Sequence, residues 1–293
     1  MKTILVIGAT GMLGHKLALK LSRRYKVAAS VRGAAPAFFA PHLCDRLEII
    51  EGIDAFRPET AEQAIRAVKP DYVLNCVGIV KQLAEAKDPV TSITVNALFP
   101  HQLEKLAEKH DFKLIHFSTD CVFSGKKGPY SQTAPSDVND LYGMTKFLGE
   151  VSGPRALTLR SSIIGREFAS PTGLIEWFLA QKGGAIKGYG KALYTGLTTN
   201  AMADLVTYLI EHKPALSGLY QVASEEISKY DLLQLVNETA ESGVSIEKDE
   251  DFFCDRRLDG KEFHKASGWS AQPWPDMIKT MFDEDRLFYI TTP

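Results

Sequence analysis

In LYGMTK (141–146), Tyr142 is followed four residues later by Lys146, and no other of the ten tyrosines has a lysine at that spacing. A helix puts residues four apart on one face, so an ammonium can stand beside a phenol. A free phenol titrates near pH 10, too high for efficient proton exchange at neutrality, and an adjacent cation favours the phenolate. The pair is therefore a candidate general acid tuned by a lysine. The plain alternative is a partly exposed helix carrying a solvated lysine. Upstream, FKLIHFST (112–119) reads as a strand ending in Thr119, whose hydroxyl can hold a substrate oxygen. Thr119, Tyr142 and Lys146 are the candidate catalytic residues.

Groups this far apart in sequence meet only if the fold collects them at one edge. KTILVI (2–7) is a continuous apolar run of the kind found in strands buried on both faces. GMLGHKLALKLSRRY (11–25) follows as an amphipathic helix, with Leu13, Leu17 and Leu21 on one face. Further strands are predicted at 26–31, 46–50, 71–78, 112–119 and 156–162, with helices at 60–68, about 90–110 and 141–151. Such alternation predicts a parallel sheet with helices on both faces, because right-handed crossovers place them there. Ligands of such sheets bind at the carboxyl edge, where Thr119 is predicted to lie. Beyond Gly165 the pattern loosens into helices near 172–181, 200–212, 228–241 and 274–285, with one strand at 218–224.

Between the first strand and helix, GATGMLG sets Gly8, Gly11 and Gly14 at the spacing of a dinucleotide-binding turn. Without Cβ atoms in the way, the loop amides and the helix N-terminus can approach a diphosphate. Packing alone could also require glycines there. The predicted fold class is thus α/β, a Rossmann-type doubly wound parallel sheet with a smaller mixed α/β substrate-binding region. Residues 1–165 are assigned to the dinucleotide-binding domain, with a return segment near 198–224, and 166–293 mainly to substrate binding.

Candidate cofactor contacts are Gly8, Thr10, Gly11, Met12, Leu13 and Gly14 from the turn, with Tyr142 and Lys146. Dinucleotide folds that prefer NAD usually carry an acid after the second strand. Here AASVRG places Ser30 at that point and Arg32 two residues on, which suits a 2′-phosphate and predicts NADPH, with NADH as the alternative. Asp54 is placed to bond an adenine amine, and Asn75, Cys76, Val77 and Gly78 to line the far side of the cofactor. Asp54 and Asn75 serve equally well as loop caps.

The 293 residues are 45% hydrophobic and 24% charged with net charge −2, giving no electrostatic reason to expect nucleic acid or an anionic membrane. No apolar run approaches a bilayer span. The lysine and apolar run at the start imitate a secretory leader, but regularly spaced glycines interrupt them and no cleavage site follows. The four cysteines, Cys44, Cys76, Cys121 and Cys254, are scattered, so reduced thiols in the cytoplasm are expected and a zinc site is not.

Taken together, GATGMLG, STDCVFSG and LYGMTKFLGE resemble the extended short-chain dehydrogenase/reductases, and specifically the dTDP-4-dehydrorhamnose reductase family. The likeness runs on through LRSSIIG (159–165) and GLYQVAS (218–224). It implies reduction of a nucleotide-linked 4-keto-6-deoxyhexose by NAD(P)H, with Thr119, Tyr142 and Lys146 as the catalytic trio and a homodimer as a possible assembly. Several positions depart from the family pattern. Cys121 replaces a tyrosine, Ile163 an aromatic residue, and Lys81 and Gln82 stand where small and acidic residues are usual. Lys16 replaces a glutamate through which some members bind magnesium, so no metal is expected. The sugar pocket is therefore unlike the family's, and a UDP-linked 4-keto-6-deoxyhexose, with or without an N-acetyl group, is a plausible alternative to the dTDP sugar. Substrate candidates are Lys81, Gln82, Cys121, Ile163 and Arg257, with Arg256 beside it, either arginine able to clamp a pyrophosphate or to form a surface ion pair. The competing readings are a dehydratase or epimerase of the same superfamily, and a non-catalytic regulatory subunit that binds the cofactor. A dehydratase needs a second carboxylate where Cys121 stands.

Overall fold

The computed structural model describes residues 1–34, 39, 46–81, 83–167 and 173–289. β1 (Thr3–Ile7), α1 (Met12–Leu21), β2 (Lys26–Val31), β3 (Leu47–Glu51), α2 (Pro58–Val68) and β4 (Tyr72–Asn75) form the first half of the sheet. α3 (Pro89–Ser92) runs through a π-turn at Ile93–Leu98 into α4 (Phe99–His110), followed by β5 (Lys113–Ser118), α5 (Leu141–Leu148) and β6 (Ala156–Arg160). The later part holds β7 (Ile163–Ile164), α6 (Leu174–Leu179), β8 (Ala185–Tyr194), β9 (Leu197–Thr198), α7 (Thr199–His212) and β10 (Gly218–Gln221). It ends in β11 (Ile227–Ser228), α8 (Lys229–Ala240), β12 (Ser245–Asp255), α9 (Lys261–Ser267) and α10 (Trp274–Tyr289).

Seven strands make one sheet in the order β10-β6-β5-β4-β1-β2-β3, and every pair in it is parallel. β1 explains why. Ile4 and Val6 belong to the core that includes residues of α1, α7 and α10, while Leu5 and Ile7 belong to the core with residues of α2 and α4. A strand apolar on both faces has to sit mid-sheet under two helical layers. The order reverses between β1 and β4, and ligands of such sheets bind outside the strand ends at that switch point.

A separate three-stranded sheet runs β11-β8-β12, with β12 parallel and β11 antiparallel to β8. Neither long strand was expected from sequence. β8 carries Gly188 where an added Cβ would lie 2.9 Å from both Ile246 and Tyr230, so its glycine makes room for packing rather than a turn. β12 (SIEKDEDFFCD) is charged on both faces and breaks register between Asp249 and Phe253, which hides its period. No described helix is long and apolar enough to cross a membrane.

Two buried histidines give the fold a pH dependence. His15 in α1 is fully buried, and burial holds its pKa at about 3 despite the Gly11 carbonyl 2.9 Å from Nδ1. His116 in β5 is also fully buried, and burial, then Lys146, hold it well below the ordinary value. Both stay neutral in the folded chain while the unfolded chain protonates below about pH 6.5. The unfolded state then binds more protons, so stability falls as pH drops, by about 1.4 kcal/mol per unit for each histidine. Melting temperature is expected to fall steeply from pH 7 to 5, and His15→Gln to flatten that slope. An equally steep slope in the variant would remove His15 as a cause.

Candidate active site

The turn after β1 is built by close approach. Gly8 has φ +86, and a Cβ on it would sit 3.0 Å from the Val77 side chain and backbone nitrogen. A Cβ on Gly14 would lie 2.1 Å from the Gly8 carbonyl, so α1 packs directly on the turn. Gly11 differs: its φ is −78, and it caps α1 without a side-chain bond and without an acid in the first turn. The α1 amides next to Thr10, Met12 and Leu13 therefore carry uncancelled positive dipole, which suits a diphosphate. Ser30 ends β2, buried, its Oγ accepting from the Gly8 N–H at 3.4 Å, and Arg32 is exposed two residues beyond. Asp54 accepts from the Phe56 N–H at 3.0 Å and pairs with Arg57, capping its own loop. Asn75 is buried, bonding the Val77 N–H through Oδ1 and meeting His116 Nδ1 at 3.1 Å.

β5 and α5 bring the two hydroxyls together. Thr119 leaves β5 in extended conformation and caps a short turn, Asp120–Val122. Its Oγ1 accepts from the Cys121 N–H and donates to Asp120 Oδ1, both at 3.1 Å. Asp140 caps α5 by accepting from the Gly143 N–H at 2.9 Å, which starts the helix so that Tyr142 lies in its first turn, beside Thr119. Gly143 is obligatory, because a Cβ there would stand 2.3 Å from the Cys121 carbonyl. Lys146 is buried and donates to the Phe117 carbonyl at 2.8 Å.

The acidity of this group differs from the sequence expectation. Burial pushes the half-buried Tyr142 phenol above its ordinary value, Cys121 and the carboxylates of Asp120 and Asp140 add to that, and only the Thr119 hydrogen bond opposes them. Lys146 points to the Phe117 carbonyl and is itself lowered to about 8 by burial, with Glu150 and Cys76 acting against the fall. The phenol is thus held as an acid with a strong demand for a cation when it gives up its proton.

Sequence reasoning missed Asn96. It lies in the π-turn, buried, accepting from the Ile79 N–H at 2.8 Å and donating to the Ile79 carbonyl at 3.0 Å and Thr145 Oγ1 at 3.4 Å. The extra residue of the π-turn carries the Asn96 carbonyl to where a Cβ on Gly149 would be 1.9 Å away. One asparagine so ties the loop after β4 to α5. No break in the apolar pattern of ITVNAL announces it.

Behind the site, Glu150 grips Arg160 at 2.8 and 2.6 Å and accepts from Ser118 at 2.6 Å, all three buried or nearly so. Of the substrate candidates, Lys81 reaches Asp140 at 3.0 Å, Ile163 lies in β7 against the main core, and Gln82 lies outside the described residues, as does Cys44. Cys121 borders the Thr119 and Tyr142 hydroxyls, its thiol pushed up to about 12 by burial. Arg257 is drawn away from the site: it forms ion pairs with Asp255 at 2.7 Å and with Glu226. Arg256 faces the site instead, Nη1 3.4 Å from Cys121 Sγ. Lys16, which replaces the family's glutamate, is fully buried in α1, and no metal-holding cluster occurs among the described residues.

A parallel sheet of this order, with a glycine turn at its switch point and a Thr–Tyr–Lys group at its carboxyl edge, defines a Rossmann-type protein of the extended short-chain dehydrogenase/reductase class. Within that class, the chain belongs to the family of the RmlD substrate binding domain, whose model matches residues 1–286. A dTDP-4-dehydrorhamnose reductase from Burkholderia thailandensis is 31% identical over 150 residues, 51% of this chain and 44% of that one, so the match spans less than half of that relative's length. The Escherichia coli dTDP-4-dehydrorhamnose reductase is 26% identical over 257 residues, 83% of this chain and 80% of that one. The crystal structure of a Bacillus anthracis dTDP-4-dehydrorhamnose reductase in complex with NADP superposes with a TM-score of 0.78, covering 97% of this chain and 99% of that one at 16% identity.

Proposed function

We propose that this protein is an oxidoreductase that reduces the ketone of a nucleotide-activated 4-keto-6-deoxyhexose, in deoxysugar or surface polysaccharide biosynthesis, preferring NADPH to NADH. The observation that carries this reading is the Tyr142 phenol set beside Thr119, one helical turn from buried Lys146, on a sheet whose glycine turn leaves its amides open to a diphosphate. Similarity to relatives named dTDP-4-dehydrorhamnose reductase supports it.

When bound, the reduced nicotinamide supplies the hydride. Gly8, Thr10, Gly11, Met12, Leu13 and Gly14 hold the diphosphate, and Asn75, Cys76, Val77 and Gly78 line the other side. Thr119 fixes the ketone oxygen by turning its one O–H from Asp120 Oδ1 to the substrate. As the carbonyl carbon gains a hydride, Tyr142 gives its phenolic proton to that oxygen, and the phenolate later recovers a proton from solvent. Lys146, cationic below about pH 8, offsets the phenolate charge and bonds the nicotinamide ribose. Cys121 in place of a second carboxylate speaks against a dehydratase.

The decisive experiment is loss of NADPH absorbance with a panel of dTDP- and UDP-linked 4-keto-6-deoxyhexoses. One 4-hydroxy sugar formed per NADPH consumed is expected. No consumption with any member would leave a cofactor-binding regulatory subunit as the better reading. Arg32→Ala is expected to lower kcat/KM for NADPH about tenfold, the loss of one charge-assisted bond, and to leave NADH nearly untouched. Equal losses with both cofactors would detach Arg32 from the 2′-phosphate. Val90, Ile93, Leu98, Met144, Phe147 and Leu148 are exposed on the adjoining α3–α4 and α5 helices, which supports a homodimer through that face. Phe147→Glu is expected to convert a sedimenting dimer to a monomer; a wild-type monomer would end that reading.

A further inference from the structure

Arg256 has no part in the proton and hydride scheme, yet the fold brings it against the reacting groups. β12 ends by pairing Asp255 with Leu193, and the Arg256 N–H then donates to the Leu193 carbonyl at 2.9 Å. Gly125 opposite has φ +81, and a Cβ there would lie 2.5 Å from Cys254 Sγ and 3.2 Å from Arg256 Cγ. The chain is thinned at that point to admit the arginine stem. Arg257, bonded to Asp255 and Glu226, anchors the same segment from its other side.

Among the described residues, the half-buried guanidinium donates from Nε to the Phe123 carbonyl at 3.1 Å and from Nη1 to Cys121 Sγ at 3.4 Å. Its Nη2 donors meet no acceptor among the described residues. Because the Cys121 N–H is bonded to Thr119 Oγ1, the guanidinium lies two links from the hydroxyl that fixes the ketone. Open donors beside that hydroxyl call for an acceptor oxygen on a ring substituent.

The charge around Arg256 selects the kind of acceptor. Asp120 and Asp140 both act on it, and Asp140 is also paired with Lys81 at 3.0 Å, so the surroundings are near balance and do not invite a further anion. Resting on the reductase reading above, we infer that Arg256 is a specificity-determining residue that hydrogen-bonds the carbonyl oxygen of an acylamino group on the hexose, making an N-acylated 4-keto-6-deoxyhexosamine nucleotide the substrate. The class of reaction that supplies it is dehydration of an N-acylhexosamine nucleotide.

The test compares two UDP-linked 4-keto-6-deoxy sugars that differ only in an acetamido group replacing a hydroxyl, with a 4-keto uronate as a third arm. The wild-type enzyme is expected to favour the acetamido substrate by about 10- to 100-fold in kcat/KM, the range for a hydrogen bond to a charged group. In Arg256→Gln that preference collapses, mainly through a higher KM, and Arg256→Lys recovers part of it. A wild-type preference for the hydroxyl sugar or the uronate would overturn the inference. So would an equal loss on both sugars in the variants, which is what a merely structural arginine produces. Calorimetric titration with UDP-N-acetylglucosamine and UDP-glucose, neither of which can be reduced, separates the two readings. Tighter binding of the acetylated ligand that vanishes in Arg256→Gln upholds the inference even if no ketone is turned over. Equal binding of both ligands by the wild type refutes it.

Discussion

Tyr142→Phe is expected to lower kcat for ketone reduction by about 10³-fold while leaving cofactor affinity almost unchanged, within the range for loss of a positioned general acid. Phenylalanine keeps the ring and removes only the hydroxyl, so the packing of α5 on the Cys121 turn is preserved. No neighbour can take over the proton. The Thr119 hydroxyl is an aliphatic alcohol and at rest donates to Asp120 at 3.1 Å, Lys146 donates to a backbone carbonyl, and the Cys121 thiol, also held protonated by burial, has its Sγ turned to Arg256. Burial, Cys121, Asp120 and Asp140 all keep the Tyr142 phenol protonated, which a group required as an acid at neutral pH needs. Turnover should be measured by NADPH consumption and cofactor affinity by fluorescence titration. A drop of less than tenfold would transfer the acid role to another group or to water.

How much of this was readable beforehand follows from what sequence spacing encodes. β1 was legible because Ile4, Leu5, Val6 and Ile7 are apolar at consecutive positions, which only a strand covered on both faces tolerates. Gly8 and Gly14 were legible because close approach leaves room for one residue type only. Spacing could bring Lys146 to the face of Tyr142, but it could not reveal that the ammonium would settle on the Phe117 carbonyl or that burial would govern both groups.

Arg256 and Arg257 show the limit most sharply. Neighbours in an extended segment point to opposite sides, so choosing between them requires the register of β12. Asp255 opposite Leu193 and Cys254 opposite Ala192 set that register, after an irregularity at Asp249–Phe253 that nothing in a run of acids and phenylalanines predicts. Asn96 was hidden for a similar reason. A π-turn changes the backbone period for one turn without changing residue types, so the asparagine looked like an ordinary polar position on a long helix.

Glu150→Ala is expected to cost about 3–5 kcal/mol of folding stability, the usual consequence of leaving a buried charge unpaired. Glu150 and Arg160 are each 5% exposed and joined by two short bonds, and Arg160 Nη1 already has no hydrogen-bond partner among the described residues. Removing the carboxylate would leave the guanidinium with the face of Phe123, 5.1 Å from the ring centre, and a stranded Ser118 hydroxyl. Replacing both charges by Leu in a double variant should recover most of the loss, because desolvation offsets much of what a buried pair contributes. Urea denaturation of the two variants measures this, and a double variant as unstable as the single one would mean that the pair itself, rather than the orphaned arginine, sets the cost. The same carboxylate raises the Lys146 pKa against burial, so its loss should move the alkaline fall in activity below the wild-type position. In the milder Glu150→Gln variant that shift can be followed in a folded enzyme. An unmoved alkaline limb there would separate the support of the fold by Glu150 from any hold on the charge of Lys146.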